Sequence, residues 1–140
     1  MSKPPVLVMS NAIQSYICLS ETDYAVSVLS DHLDRDAYLR TSGDIFAVVV
    51  TSGADRLDKA RLDLLPNLRA IIAIAAGIAG IDLDEAKRRG IAVTNAGATN
   101  SGDVADHAIA MMLAVRRDLV AGDAYVRTGR WVEKRMPPGR

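Results

Sequence analysis

Residues 75–80 read A-x-G-x-x-G, one substitution from the G-x-G-x-x-G that cradles a dinucleotide pyrophosphate. The chemistry of that fingerprint requires a helix to start inside the glycines, so that its N-terminal N–H groups face the phosphates. Here Asp82 is the better N-cap, and Glu85 three residues on completes a capping-box pattern. The helix therefore starts after the glycines, and Asp82, Asp84 and Glu85 in its first turn would repel a pyrophosphate. The acid expected at the end of the next strand, for a ribose, is replaced by Thr94 and Asn95. Two readings stay open ahead of the dinucleotide one: a tight turn, or a loop offering backbone N–H groups to a small anion such as a carboxylate.

Other chemistry-bearing residues are few. His32 sits among charges in SDHLDRD, at the end of an expected helix, and reads as a surface residue. His107 lies one helical turn after Asp103 and can pair with it, a structural arrangement. Cys18 has no neighbouring histidine to activate it, and as the only cysteine it excludes an intramolecular disulfide. No His, Cys or carboxylate cluster has metal-ligand spacing. Seventeen Lys plus Arg balance seventeen Asp plus Glu, and no single-sign block stands out, which argues against nucleic acid or an anionic membrane as partner. MSKPPVLVMSN has no long apolar core after its lysine, and the longest apolar run, 70–81, is too short to span a bilayer. A cytoplasmic protein is the expectation.

The elements that must position the loop alternate along the chain. VLVMS (6–10), IFAVVVTSG (45–53), LRAIIAIAA (68–76) and IAVTN (91–95) read as buried parallel strands, and AYLRT (37–41) as a weaker one. DYAVSVLSDHL (23–33, capped by Asp23), LDKARLDLLP (57–66) and DEAKRRG (84–90) read as helices. Short connections between strand and helix predict a parallel α/β sheet, which binds ligands at the carboxyl ends of its strands. Those ends are Ser10 and Asn11, 51–54, 75–80 and 94–100, and none holds His, Lys or Arg. Backbone N–H groups would have to do the binding. A phospho-acceptor receiver domain is excluded, because its acidic positions read Ser-Asn and Thr-Ser here.

The last third differs. Asp103 is the expected cap of one long helical segment running to about Gly129. Its first turns, Val104 to Val115, are apolar on nearly every side except Asp106 and His107. A helix apolar all round must be buried all round, so a second domain or second chain is expected against it. From Arg116 the segment turns amphipathic, and after Trp131 the tail VEKRMPPGR reads as a linker cut short.

From Leu65 to Trp131 the chain resembles the N-terminal half of the D-isomer-specific 2-hydroxyacid dehydrogenases, nearest to the hydroxypyruvate, glyoxylate and hydroxyphenylpyruvate reductases. The shared pattern is L-P-x-L-R, a glycine loop ending in I-D, R-G-I-x-V-x-N, then V-A-D opening a long helix that ends R-x-G-x-W. AVVVTSGAD (47–55) fits the preceding strand and loop, whereas NAGA (95–98) departs from the family's N-T-P-G turn. The resemblance implies a flavodoxin-like, α/β substrate-binding domain over 1–102. A long C-terminal helix over 103–140 would then cross into a cofactor domain. It also implies a small 2-keto or 2-hydroxy acid as ligand, its carboxylate held by the N–H groups of Ala76 and Gly77. Ser52, Gly53 and Ala54 would line the site from the preceding loop, with Asn100 added from the formate dehydrogenase branch. NAD or NADP would serve the complete enzyme, with none bound to this chain alone, because the family's dinucleotide fingerprint and its catalytic Arg, Glu and His lie downstream. The chain alone is then expected to be inactive, and to form a homodimer through the helix from Val104, with helix exchange one route. Two alternatives remain: a stand-alone small-carboxylate binding module, and a fragment whose apolar helix serves to dimerise.

Overall fold

A computed structural model describes residues 2–14, 17, 22–51 and 55–132. The chain divides into two compact units, Met1–Gly97 and Ala98–Arg140. In the first, β1 (Pro5–Val8), β2 (Ala25–Val28), β3 (Ala47–Val50), β4 (Ala70–Ala73) and β5 (Ala92–Asn95) form one sheet. The strand order is β2-β1-β3-β4-β5 and every pairing is parallel, the flavodoxin-like arrangement. Helices α1 (Asn11–Gln14), α2 (Arg35–Thr41), α3 (Lys59–Asp63) and α4 (Leu83–Arg88) fill the connections.

Strand alternation divides the core in two. Leu7, Val48, Val50, Ile71 and Ala73 face one cluster, with Leu39, Leu62 and Ala86 brought to it by α2, α3 and α4. Val6, Val8, Val28, Ala47 and Val49 face the other, with Ile13 from α1.

Residues 23–41 reverse the sequence-based assignment. The expected helix over 23–33 is β2 followed by a 3-10 turn, Leu29–Asp31. The expected strand over 37–41 is α2. In 23–33 the apolar positions fit a helical period and an alternating one equally well, and the β-branched Val26 and Val28 find partners in β1. The missed signal for α2 is its cap, the Asp34 side chain accepting the Ala37 N–H at 2.9 Å.

The short helices are held at both ends. Asp58 caps α3 by accepting the Arg61 N–H at 3.2 Å, and Asp82 caps α4 by accepting the Glu85 N–H at 3.0 Å. Arg89 donates to the carbonyls of Leu62 and Leu65, docking the end of α4 onto the end of α3. At the end of α4, Gly90 N–H donates to Lys87 O at 3.1 Å and Ile91 N–H to Ala86 O at 2.9 Å. This is a Schellman closure, which needs the left-handed backbone that Gly90 adopts (φ 69°).

In the second unit the expected single helix is two, α5 (Ser101–Arg116) and α6 (Leu119–Arg127), before a 3-10 turn at Arg130–Val132. Asp118, in the left-handed region (φ 49°), breaks them, a conformation that Asp tolerates better than most residues. Asp103 is not the cap: α5 opens at Ser101 after Asn100, and Asp103 stands in the first turn. No residue of α5 is buried, and Val104, Ile109, Met111, Met112, Leu113 and Val115 are all exposed. Tyr125 of α6 is buried, with the Arg130 guanidinium 5.0 Å above its ring.

A Cβ on Gly90 would meet no atom within 4 Å, so substitution there isolates the backbone cost. Gly90→Ala is expected to lower the unfolding free energy by about 1–2 kcal/mol, with Gly90→Asn losing less. Urea unfolding of the three chains checks this, and an unchanged midpoint in Gly90→Ala would contradict the closure.

Candidate functional site

The loop leaving β4 has every turn fixed by backbone bonds. At its entry Ile74 N–H donates to Val50 O at 3.1 Å, and Ala96 N–H donates to Ala75 O at 3.2 Å. At its exit Leu57 N–H donates to Gly80 O at 2.8 Å, and Asp82 N–H to Leu57 O at 3.0 Å, as an isolated parallel bridge between Leu57 and Ile81. Gly80 is glycine because chain meets chain: a Cβ there would lie 2.7 Å from the Asp55 carbonyl oxygen. The last glycine of the motif thus serves close packing, and the turn reading of the loop holds for its second half.

The first half is different. Ala76 and Gly77 are exposed, and among the described residues their N–H groups donate no hydrogen bond. A dinucleotide does not fit. The helix that follows has six residues, begins at Leu83 after the glycines, and spends the Asp82 side chain on its own cap. The capping box is half made: the Glu85 carboxylate turns to Arg88 rather than back to Asp82.

Of the residues singled out in the sequence, Ser52, Gly53 and Ala54 lie outside the described residues, as does Cys18. Ala76 and Gly77 are adjacent in the exposed loop, at the carboxyl edge of the sheet. Asn100 belongs to the second unit, where it precedes α5 and its side chain makes no capping bond. His32 follows a 3-10 turn rather than a helix and is half-buried, its ring stacked on Tyr38 at 3.7 Å and 14°. His107 is exposed, and no hydrogen bond joins it to Asp103 among the described residues.

Two residues that sequence reasoning passed over shape the loop and its neighbour. Asp55 Oδ2 accepts both the N–H and the hydroxyl of Thr51, each at 2.8 Å, closing the segment after β3. Asn95 Nδ2 donates to Ala76 O at 2.6 Å across nineteen positions of sequence. Asp55 reaches back four residues, outside the usual Asx-turn spacing, and nothing local marks Asn95.

The acids beside the loop are engaged. Glu85 is buried and paired with Arg88 through two bonds, Nε to Oε2 at 2.8 Å and Nη2 to Oε1 at 2.6 Å, with Lys59 Nζ 3.9 Å away. The Arg88 bonds, more than the Lys59 charge, hold the Glu85 carboxyl below its ordinary 4.5.

A five-stranded parallel α/β sheet in the order β2-β1-β3-β4-β5 defines a domain of the flavodoxin-like class. The chain belongs to the D-isomer specific 2-hydroxyacid dehydrogenase family, whose catalytic-domain model matches residues 6–134. It is 35% identical over 134 residues to a glyoxylate reductase of Pyrococcus furiosus, covering 94% of this chain and 40% of that protein. The solved 2-hydroxyacid dehydrogenase of Ketogulonicigenium vulgare is 31% identical, with a TM-score of 0.85 over all of this chain and 44% of that one. An NADPH-dependent glyoxylate/hydroxypyruvate reductase of Sinorhizobium meliloti, solved with NADP and malonate, is 25% identical with a TM-score of 0.69, over 99% of this chain and 42% of that one. The chain therefore spans less than half the length of these relatives.

Because Glu85 titrates below its unfolded value, its contribution is complete above pH 4.5 and disappears as the pH falls through the lowered one. Arg88→Met removes the principal cause. The stability gap between wild type and Arg88→Met is expected to be constant above pH 4.5 and to close below it. Urea midpoints from about pH 3 to about pH 7 measure that gap, and one still open at the acid end would contradict the pairing.

Proposed function

We propose that residues 1–102 are the substrate-binding part of an enzyme that reduces a 2-keto acid, of the glyoxylate or hydroxypyruvate type, to a D-2-hydroxy acid with NAD(P)H. Residues 103–140 carry the helix that links this part to a nicotinamide-binding domain. The observation that carries the reading is the exposed Ala76–Gly77 pair, with two N–H groups free to donate at the carboxyl edge of a parallel sheet. Two such donors suit the two oxygens of a carboxylate and leave the neighbouring keto carbon free for hydride. Ser52, Gly53 and Asn100 complete the substrate contacts in this reading. The malonate held by the Sinorhizobium meliloti relative supports a small carboxylate as the ligand class.

Hydride transfer to a keto acid also needs a cation on the carbonyl oxygen and a general acid. The glycine loop and the residues directly after β1 and β5 carry no His, Lys or Arg, His32 lying instead beyond the edge strand β2, and the glycine loop does not fit the cofactor. Residues 1–140 by themselves are therefore expected to bind malonate or glyoxylate saturably and to oxidise no NADH or NADPH with glyoxylate. Isothermal titration and absorbance at the nicotinamide band measure the two. Turnover would overturn the assignment of the chemistry to other residues. Absence of carboxylate binding would overturn the site.

The exposed apolar residues of α5 and α6 support a second copy of the chain as partner, pairing through the helix from Val104. Sedimentation at rising concentration is expected to show a dimer. A compact monomer at the highest concentration would count against it.

A further inference from the structure

We infer that Asn95 is a positioning residue for the carboxylate, acting through the Ala76–Gly77 peptide; this rests on the anion reading of the loop. In a trans peptide the C=O of one residue and the N–H of the next point in opposite directions. Fixing the Ala76 carbonyl therefore fixes the Gly77 N–H, and fixing the Ala75 carbonyl fixes the Ala76 N–H. Both carbonyls are held by the end of β5. Ala96 N–H takes Ala75 O at 3.2 Å, and Asn95 Nδ2 takes Ala76 O at 2.6 Å.

Two successive carbonyls bonded to the same neighbour is not strand geometry, where they alternate. Residues 74–76 form a bend, and Ala96 and Asn95 grip its carbonyl side. Each of the two N–H groups consequently points away from the β5 end that holds its peptide, and successive N–H groups presented by a turn can bind an anion. The Ala96 half of the grip is a main-chain bond that almost any residue would supply. The Asn95 half depends on a side-chain donor of one length, so the direction of the Gly77 N–H is encoded at position 95.

Charge reverses the effect. An aspartate at 95 offers only acceptors to a carbonyl, and it adds a negative charge behind a site meant for an anion. Asn95→Ala removes the donor without adding charge.

The test is malonate titration of the full 15N-labelled chain, followed at the Ala76 and Gly77 amides, with urea midpoints alongside. Wild type is expected to shift both amides saturably. Asn95→Ala is expected to weaken malonate by about fivefold, the scale of one neutral hydrogen bond, and to move the ligand-free Gly77 resonance while the urea midpoint changes little. Asn95→Asp is expected to weaken malonate further. Full wild-type affinity and an unmoved Gly77 resonance in Asn95→Ala would overturn the role of Asn95 and leave the anion site standing. No malonate shift at either amide in wild type would overturn the anion site, and the positioning role with it. The wild-type spectrum gives a check that needs no folded variant. One Asn95 side-chain amide proton is expected downfield and slow to exchange, and two fast, equivalent ones would contradict the bond.

Discussion

Burial of β3 on both faces constrains the whole first unit. Val48 and Val50 are wholly buried in one cluster, and Ala47 and Val49 are buried in the other. Parallel strands need crossovers that return over the sheet, and those crossovers are what cover both faces of β3. The crossovers here are short, and so are their helices, which their caps must stabilise: Asp34, Asp58 and Asp82 each take an N–H of the following turn. In parallel sheets of this class ligands bind at the carboxyl ends of the strands. There Leu57, two residues after Asp55, and the loop from Ile74 to Asp82 are joined by the Leu57–Ile81 bridge.

The strands that were legible in sequence are those with no alternative. AVVV and AIIA are apolar without interruption and too short for a buried helix, so period and length agree. The edge strand β2 fails that test: AVSV is half-exposed, its period is ambiguous, and only pairing with β1 decides it. Reading a strand there as a helix then left 37–41 to be taken as the missing strand, although Asp34 three residues before Ala37 marks a helix start. The site was legible to the same degree. The glycine loop, its Asp82 cap and its misfit to a pyrophosphate are local features, written within ten residues. The bond from Asn95 to Ala76 depends on β5 lying beside β4 in register, Ala73 opposite Asn95, which no local pattern contains.

Helix α5 marks the opposite limit. Its sequence says more than its own unit can use. Val104, Ile109, Met111, Met112, Leu113 and Val115 together cover more than half of the helix circumference rather than one narrow stripe, and all six are exposed. An isolated helix of this length is marginal in water, and its apolar residues add no stability while exposed. The information in α5 is thus about surfaces beyond it. For the same reason the break at Asp118 was invisible: apolar residues continue through 119 and 120, and only the backbone at Asp118 separates the two helices.

A site made of two peptide N–H groups works differently from one made of a lysine. A point charge attracts any anion from any direction, whereas paired N–H groups reward only an acceptor lying along their axes. Asp82 is bonded to Glu85 N–H, Glu85 to Arg88, and Asp55 to Thr51 twice over. Only Glu85 meets a cation; Asp82 and Asp55 accept from neutral donors and keep their charge, so what these bonds share is that each is a structural tie. Asn95 completes that logic from the other side. It is the uncharged member of the set, and it grips a carbonyl, so it directs a donor outward without placing charge beneath it. The direction in which the loop presents its donors follows from which of its carbonyls are held.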